Sequence, residues 1–163
     1  MSYIETIHKK IIPAGELDHM IAYWLFKEFR IVFTNGCFDI LHRGHIEYLA
    51  KARETGDILV VGLNTDKSVK KLKGKGRPIQ HQNSRSFVLA SLSFVDHVIL
   101  FDEDTPYELI KKIQPDVLVK GGDYKPEEIV GYDIVKKKGG TVKTIKLTDG
   151  FSSSSIIQKL KDI

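Results

Sequence analysis

Apolar positions along this chain switch between two periods. From Glu16 to Phe29 they fall at Leu17, Met20, Ile21, Trp24, Leu25 and Phe29, the stripe of a helix. Ile31 to Thr34 then reads as a short buried strand. The helical period returns from Ile46 to Thr55, where Gly56 is placed to close the helix in a left-handed cap. Ile58 to Asn64 predicts a second buried strand, Asp66 to Gln80 a loop with two glycines and a proline, and Ser84 to Ser93 a helix. His97 to Phe101 is a third strand. Thr105-Pro106-Tyr107-Glu108 combines a capping Thr, a first-turn Pro and a nearby acid, so a helix starts there and Pro115 ends it.

Val117 to Lys120 reads as strand four. Pro126-Glu127-Glu128 opens a helix that Gly139-Gly140 closes, Thr141 to Leu147 is strand five, and Ser153 to Lys161 is the last helix. Five apolar strands alternating with helices predict an α/β fold: a Rossmann-like, doubly wound, five-stranded parallel sheet with helices on both faces. Residues 1–29 are expected to pack as an N-terminal segment and helix on a single domain whose body is 30–163. Such sheets bind ligands beyond the carboxyl ends of their strands, near a switch point. Composition agrees with this picture without sharpening it. The chain has 163 residues, 42% hydrophobic and 28% charged, as in ordinary globular domains.

The longest apolar run, near Ile58–Leu63, is far short of the ~18–20 residues of a membrane span. Residues 1–10 lack the apolar core of a signal peptide, so a cytoplasmic protein with no membrane partner is expected. A single cysteine excludes a disulfide framework and a multi-cysteine zinc site. The formal charge is +4, but the basic residues are unevenly spread. Lys67, Lys70, Lys71, Lys73, Lys75 and Arg77 share one stretch without an acid, and the rest of the chain has 19 basic residues against 21 acidic. A basic loop of this kind could close over phosphates, or be a solvated loop or a weak nucleic-acid patch. It holds no aromatic residue and no nucleic-acid module signature, so no nucleic-acid partner is expected.

The first predicted strand runs into Asn35-Gly36-Cys37-Phe38-Asp39-Ile40-Leu41-His42-Arg43-Gly44-His45 and then a helix. Neither a dinucleotide glycine fingerprint nor a Gly-Lys-Ser/Thr phosphate loop is present. Imidazoles and backbone amides converging at a helix N-terminus would make an anion site, and Gly44 would let a phosphate approach the backbone. Capping or surface roles for the histidines compete with that reading. Two histidines and one acid fall short of a catalytic zinc set. Cys37 has no adjacent base to activate it, and packing is its simpler role.

His42-Arg43-Gly44-His45, preceded by Gly36-Cys37-Phe38-Asp39, resembles the HxGH signature of the nucleotidyltransferase superfamily. Arg77-Pro78, Asp102 to Pro106 and Val119 to Ile129 narrow the resemblance to the adenylyltransferase half of the heptose-phosphate kinase/adenylyltransferases of lipopolysaccharide synthesis. From Arg30 onward most of the chain is covered, without room for a sugar-kinase half, as in a stand-alone form.

The resemblance implies transfer of AMP from ATP, with Mg²⁺, to D-glycero-β-D-manno-heptose 1-phosphate, giving ADP-heptose and pyrophosphate. It casts His42, His45, Lys73 and Lys75 as catalytic. Cys37, Phe38, Gly44, Arg85, Gly121, Gly122 and Asp123, with Ser152, Ser153 and Ser154, would bind nucleotide, and Asp39 and Lys120 the acceptor. Several of these have plainer alternatives: turn capping for Asp39, an exposed helix position for Arg85, an ordinary turn for Gly121-Gly122-Asp123, and a helix N-cap within Ser152–Ser155.

Cytidylyltransferases of the superfamily place an arginine where this chain has Leu147, which weighs against CTP with glycerol 3-phosphate or phosphoethanolamine. A non-catalytic nucleotide-binding module is the third reading. The superfamily also implies a homodimer, for which Glu16–Phe29 offers an apolar face.

Overall fold

Every residue of the Ile58–Asn64 strand is buried, which only a sheet covered on both faces allows. The computed structural model describes residues 2–148 and 150–161. Its elements are α1 (Tyr3–Lys10), β1 (Ile11–Ile12), α2 (Leu17–Phe26), β2 (Ile31–Gly36), α3 (Arg43–Arg53), β3 (Ile58–Asn64), α4 (Asp66–Lys73), α5 (Gln82–Ser91), β4 (His97–Phe101), α6 (Tyr107–Ile113), β5 (Val117–Gly121), α7 (Tyr132–Lys137), β6 (Thr141–Ile145) and α8 (Ser153–Lys161). One parallel sheet runs in the order β1-β4-β3-β2-β5-β6. Alternate residues of β2 and β3 feed two cores. Ile31, Phe33, Ile58 and Val60 pack with Trp24 of α2, Ile110 of α6 and Val135 of α7. Val32, Leu59, Val61 and Leu63 pack with Leu49 of α3 and Leu89 of α5.

The chain moves outward from β2 through β3 to β4, then returns to lay β5 on the other side of β2. The switch point therefore lies between β2 and β5, and the loops leaving these two strands open the crevice. Among the described residues no helix is long and apolar enough to cross a membrane.

Several sequence expectations need correction. The sheet has six strands, not five. β1 is only two residues and owes its existence to pairing with the edge of β4, at Ile11↔Val98 and Ile12↔Ile99. Two residues are too few to show a period. The opening segment, for which no element is predicted, forms α1, headed by a reciprocal Ser2–Glu5 capping box. Gly56 is not in the left-handed region. A Cβ there would lie 2.6 Å from the Arg30 carbonyl oxygen, so close approach is what demands glycine.

The expected loop from Asp66 to Gln80 begins as helix α4. Thr65 caps it by accepting from the Ser68 N–H, and Val69 is fully buried beneath it. The helix expected across 126–140 is a 3-10 turn and a separate α7, broken at Gly131 with φ +89°. Before α6 it is Pro106, not Thr105, that occupies the cap position, without a side-chain bond. Strand β6 stops at Ile145, two residues early, freeing Leu147 to line a cavity.

Trp24 is fully buried, and its Nε1–H donates to His97 Nε2 at 3.3 Å. That bond requires His97 unprotonated at Nε2. Burial lowers its pKa from 6.5 to about 4, with Asp96 acting to raise it and Lys10 to lower it. The stabilisation from a neutral His97 is complete above pH 6.5 and is lost as pH falls toward 4, because the unfolded chain then binds the extra proton. Trp24 is the sole tryptophan, so its fluorescence in denaturant titrations reports on this contact. Stability should fall by up to about 3 kcal/mol across that window from this group. His97→Gln, which keeps an acceptor but does not titrate, should flatten the slope; an unchanged slope would refute the assignment.

Candidate active site at the sheet switch point

Strand β2 leaves the sheet at Gly36, and Phe38 takes a left-handed φ of +43°. The bend is held by Asp39, whose residue is only 2% exposed. Its carboxylate accepts from Arg77 Nε at 2.6 Å, the Ile79 N–H at 2.8 Å and the Gln80 N–H at 3.0 Å. Burial alone would raise the Asp39 pKa, but the Gln80 and Ile79 amides and the Arg77 guanidinium outweigh it and hold the carboxyl below its ordinary value. Asp39, expected to bind the acceptor, lines the cavity while its oxygens anchor the 77–80 segment.

His42 sits at the N-cap of α3 in extended conformation, and its carbonyl receives the His45 and Ile46 N–H groups. The α-helical spacing then brings the two imidazoles together. They stack with centroids 3.8 Å apart and planes 22° from parallel. Phe38 meets His45 edge-on at 5.2 Å. Burial, the neighbouring His42 and an opposing hydrogen bond with the Ile40 backbone leave the His45 pKa at about 4, and burial lowers that of His42 too. The Nδ1 atoms of both rings are buried without a hydrogen-bond partner among the described residues. Buried polar atoms are nearly always paired; His97 Nδ1 in the core is orphaned in the same way, and what sets His42 and His45 apart is that both also line a cavity. A Cβ on Gly44 would lie 3.2 Å from the His42 ring, so this glycine also makes room for the stacked pair.

A cavity of about 670 Å³ opens in front of the histidines. Cys37, Phe38 and Gly44 line it from the β2 side. Ser152, Ser153 and Ser154 line it from the start of α8, where the Ser152 hydroxyl caps the helix by accepting from the Ser155 N–H and Ser153 donates to the Ile40 carbonyl. Lys120 enters from the end of β5, its Nζ 3.4 Å from Asn35 Oδ1, and burial depresses its pKa. Lys73, the last residue of α4, and Arg77 supply two more cations. Asp149, beside the serines, lies outside the described residues.

Other expected site residues are not brought into the cavity. Lys75 is exposed past the Gly74 turn and does not line it. Gly121, Gly122 and Asp123 are flanked by lining residues Lys120 and Tyr124 but do not line it themselves. Gly121 is instead pressed by Leu147, whose Cδ2 lies 2.8 Å from where a Cβ would stand. Arg85, with a fully buried side chain, lies behind the β2 loop rather than in the cavity. Nor is the basic stretch a free clamp. Lys67 pairs with Asp102 at 2.6 Å, Lys71 with Asp104, and Arg77 with Asp39. The acids that balance Lys67 and Lys71 lie after β4, over thirty residues away in sequence. Cys37 remains a poor nucleophile, since burial raises its pKa against the lowering effects of Lys73, Arg85 and Arg77.

Residues 33–159 match the family model described as cytidylyltransferase-like. The chain belongs to the cytidylyltransferase-like family. It is 61% identical over 99% of its length to the bifunctional protein HldE of Campylobacter concisus, and 48% identical over 98% to that of Wolinella succinogenes. It spans about a third of the length of these curated relatives, 33% and 34%. Among solved structures, a lipopolysaccharide core biosynthesis protein from Thermoplasma volcanium is similar at 36% identity and TM-score 0.60, over 74% of this chain and 97% of that one. A pantoate-beta-alanine ligase from Francisella tularensis shares the fold at 17% identity and TM-score 0.58, over 94% of this chain and 78% of that one.

For this family member, sequence reasoning missed Asn35, Asn64, Thr105, Tyr124 and Phe151 as cavity residues. Asn35 and Asn64 carried a signal: each is a polar residue at the carboxyl end of a buried strand. Phe151, stacked 6.5 Å from His42, carried none. The burial of the histidine pair gives a direct test. Imidazole NMR shifts in the unliganded chain should report a neutral His45 ring at pH 6, titrating near 4, and a His42 that titrates below its ordinary value. A His45 protonated at pH 6 would contradict the geometry.

Proposed function

We propose that this chain is an adenylyltransferase that moves AMP from ATP to D-glycero-β-D-manno-heptose 1-phosphate, giving ADP-heptose and pyrophosphate for lipopolysaccharide core synthesis. The observation that carries the reading is the stacked, neutral His42–His45 pair, with unspent nitrogens, facing a serine-lined helix start across the cavity. The HxGH motif, the names of the HldE relatives and that of the Thermoplasma neighbour support it.

An acceptor phosphate oxygen attacks the α-phosphorus in line. The new P–O bond forms as the bond from the α-phosphorus to the α,β-bridging oxygen breaks, and the electron pair leaves with pyrophosphate. No enzyme nucleophile is needed, so the protein aligns two anions and stabilises the charge that grows on the phosphate oxygens. His42 and His45 give hydrogen bonds to those oxygens, and the arriving negative charge draws their lowered pKa values back up. The hydroxyls and free amides at the start of α8 cradle the leaving phosphates. Lys73, Arg77 and Lys120 supply positive charge.

Mg²⁺ comes with the triphosphate in this reading. The lining carboxylates Asp39 and Asp104 are both spent in ion pairs, which leaves the ion to the phosphate oxygens. Leu147 lines the cavity as an aliphatic wall where cytidylyltransferases place an arginine, which favours ATP over CTP. A second copy of the chain would cover the exposed Leu25 and Phe26 of α2, and a cytoplasmic, bacterial location suits the phosphorylated substrates.

Pyrophosphate release measured with ATP and with CTP, each offered with heptose 1-phosphate or glycerol 3-phosphate, should be fastest for ATP with the heptose. Faster turnover of CTP with glycerol 3-phosphate would favour a cytidylyltransferase, and no release with any pair would remove the enzyme reading. His45→Ala should lower kcat by ~10²-fold or more. A near-normal rate would remove its assigned role.

A further inference from the structure

We infer that Arg85 is a positioning residue for the nucleotide loop, holding the 37–39 backbone from behind without touching a phosphate; this rests on the nucleotidyl-transfer reading of the cavity. Arg85 stands on α5, and its side chain is 0% exposed. Nε donates to the Gln80 carbonyl at 3.0 Å. Nη1 donates to the Cys37 carbonyl at 2.6 Å and the Asn64 carbonyl at 2.9 Å. Nη2 donates to Asp66 Oδ1 at 2.7 Å, which also balances the charge. Four of the five guanidinium N–H groups are thereby engaged, in directions set by a rigid plane.

The partners come from three stretches of chain that converge at the carboxyl ends of β2 and β3. Cys37 begins the loop after β2, Asn64 ends β3, Asp66 opens α4, and Gln80 lies in the stretch that runs to α5. Gln80 is shared with the second anchor. Its carbonyl receives Arg85, its N–H donates to Asp39 Oδ1, and its side-chain amide donates to the Asp39 carbonyl at 3.1 Å. Arg85 and Asp39 therefore lock the loop from two sides, with the left-handed Phe38 between Cys37 and Asp39. For Arg85 to reach a phosphate it would have to release three carbonyls, that of Asn64 buried and those of Cys37 and Gln80 part-buried, that have no other side-chain donor among the described residues. Lysine, a point charge on a flexible stem, cannot replace a fork that reaches three carbonyls and a carboxylate at once.

The test uses the whole chain with Arg85→Lys and Asp66→Asn, the second keeping the question open if the first does not fold. Amide hydrogen exchange at residues 37–39 should rise by ~10-fold or more in Arg85→Lys, and by less in Asp66→Asn. Affinities for ATP and for AMP should fall by the same factor, because the loop, not the terminal phosphates, is disturbed. A misplaced loop should lower kcat by ~10²-fold at temperatures well below Tm. Free guanidinium at millimolar concentration should restore part of the rate in Arg85→Ala.

Unchanged exchange at 37–39 in the folded variants overturns the proposal, as does loss of ATP binding with AMP binding intact, which would mean direct contact with the outer phosphates. If the unaltered chain releases no pyrophosphate with any substrate pair, the transfer reading fails. The exchange measurement still decides whether Arg85 holds the loop.

Discussion

A charge removed from water must be matched by partners fixed in place, and at the carboxyl end of this sheet Asp39 and Arg85 impose that condition. Asp39 draws the 77–80 segment against the loop after β2, and Arg85 ties that loop to the ends of β3 and the start of α4. The walls of the cavity follow from these pairings. Because both side chains hold several partners at once, the site is shaped by charges already committed to the protein.

The histidine pair obeys the opposite logic. His42 and His45 are stacked and desolvated, yet each keeps a buried nitrogen that no described protein group uses. Their neutrality is a consequence of the enclosure, and enclosure is what makes a hydrogen bond to an anion worth more than it would be in water. Lys73 enters from the end of α4, Arg77 from the turn that follows it, and Lys120 from β5. Positive charge is thus distributed around the cavity, and of the basic stretch only Lys73 and Arg77 line it, while Lys67 and Lys71 turn to acids after β4.

The motif residues were legible because the strand-to-helix turn that carries them is local. His42, Gly44 and His45 span the N-cap and first turn of α3, so their meeting is decided locally. The serines at the head of α8 were legible for the same reason. Arg85 was not, because an arginine on a polar-looking helix carries no mark of burial; its four acceptors lie five to 48 residues away. Asp39 read as a free carboxylate because its partners, Arg77 to Gln80, are about forty residues downstream. The lysine stretch looked like a loop because its charges hide one buried apolar contact, Val69, and because the balancing acids sit on another strand's exit.

The sequence by itself determined the parallel α/β layering, the order of strands and helices through most of the chain, and the turn that holds the histidines. All of these rest on periods and caps that span a few residues. Tertiary structure alone decided that Ile11 and Ile12 form a sixth strand, that Gly56 is needed for close approach and not for a left-handed cap, and that the Arg85 side chain is buried outside the cavity while Asp39, Arg77 and Lys120 line it. Those outcomes depend on which distant groups arrive to pair, to crowd or to exclude water, and no local pattern records such arrivals.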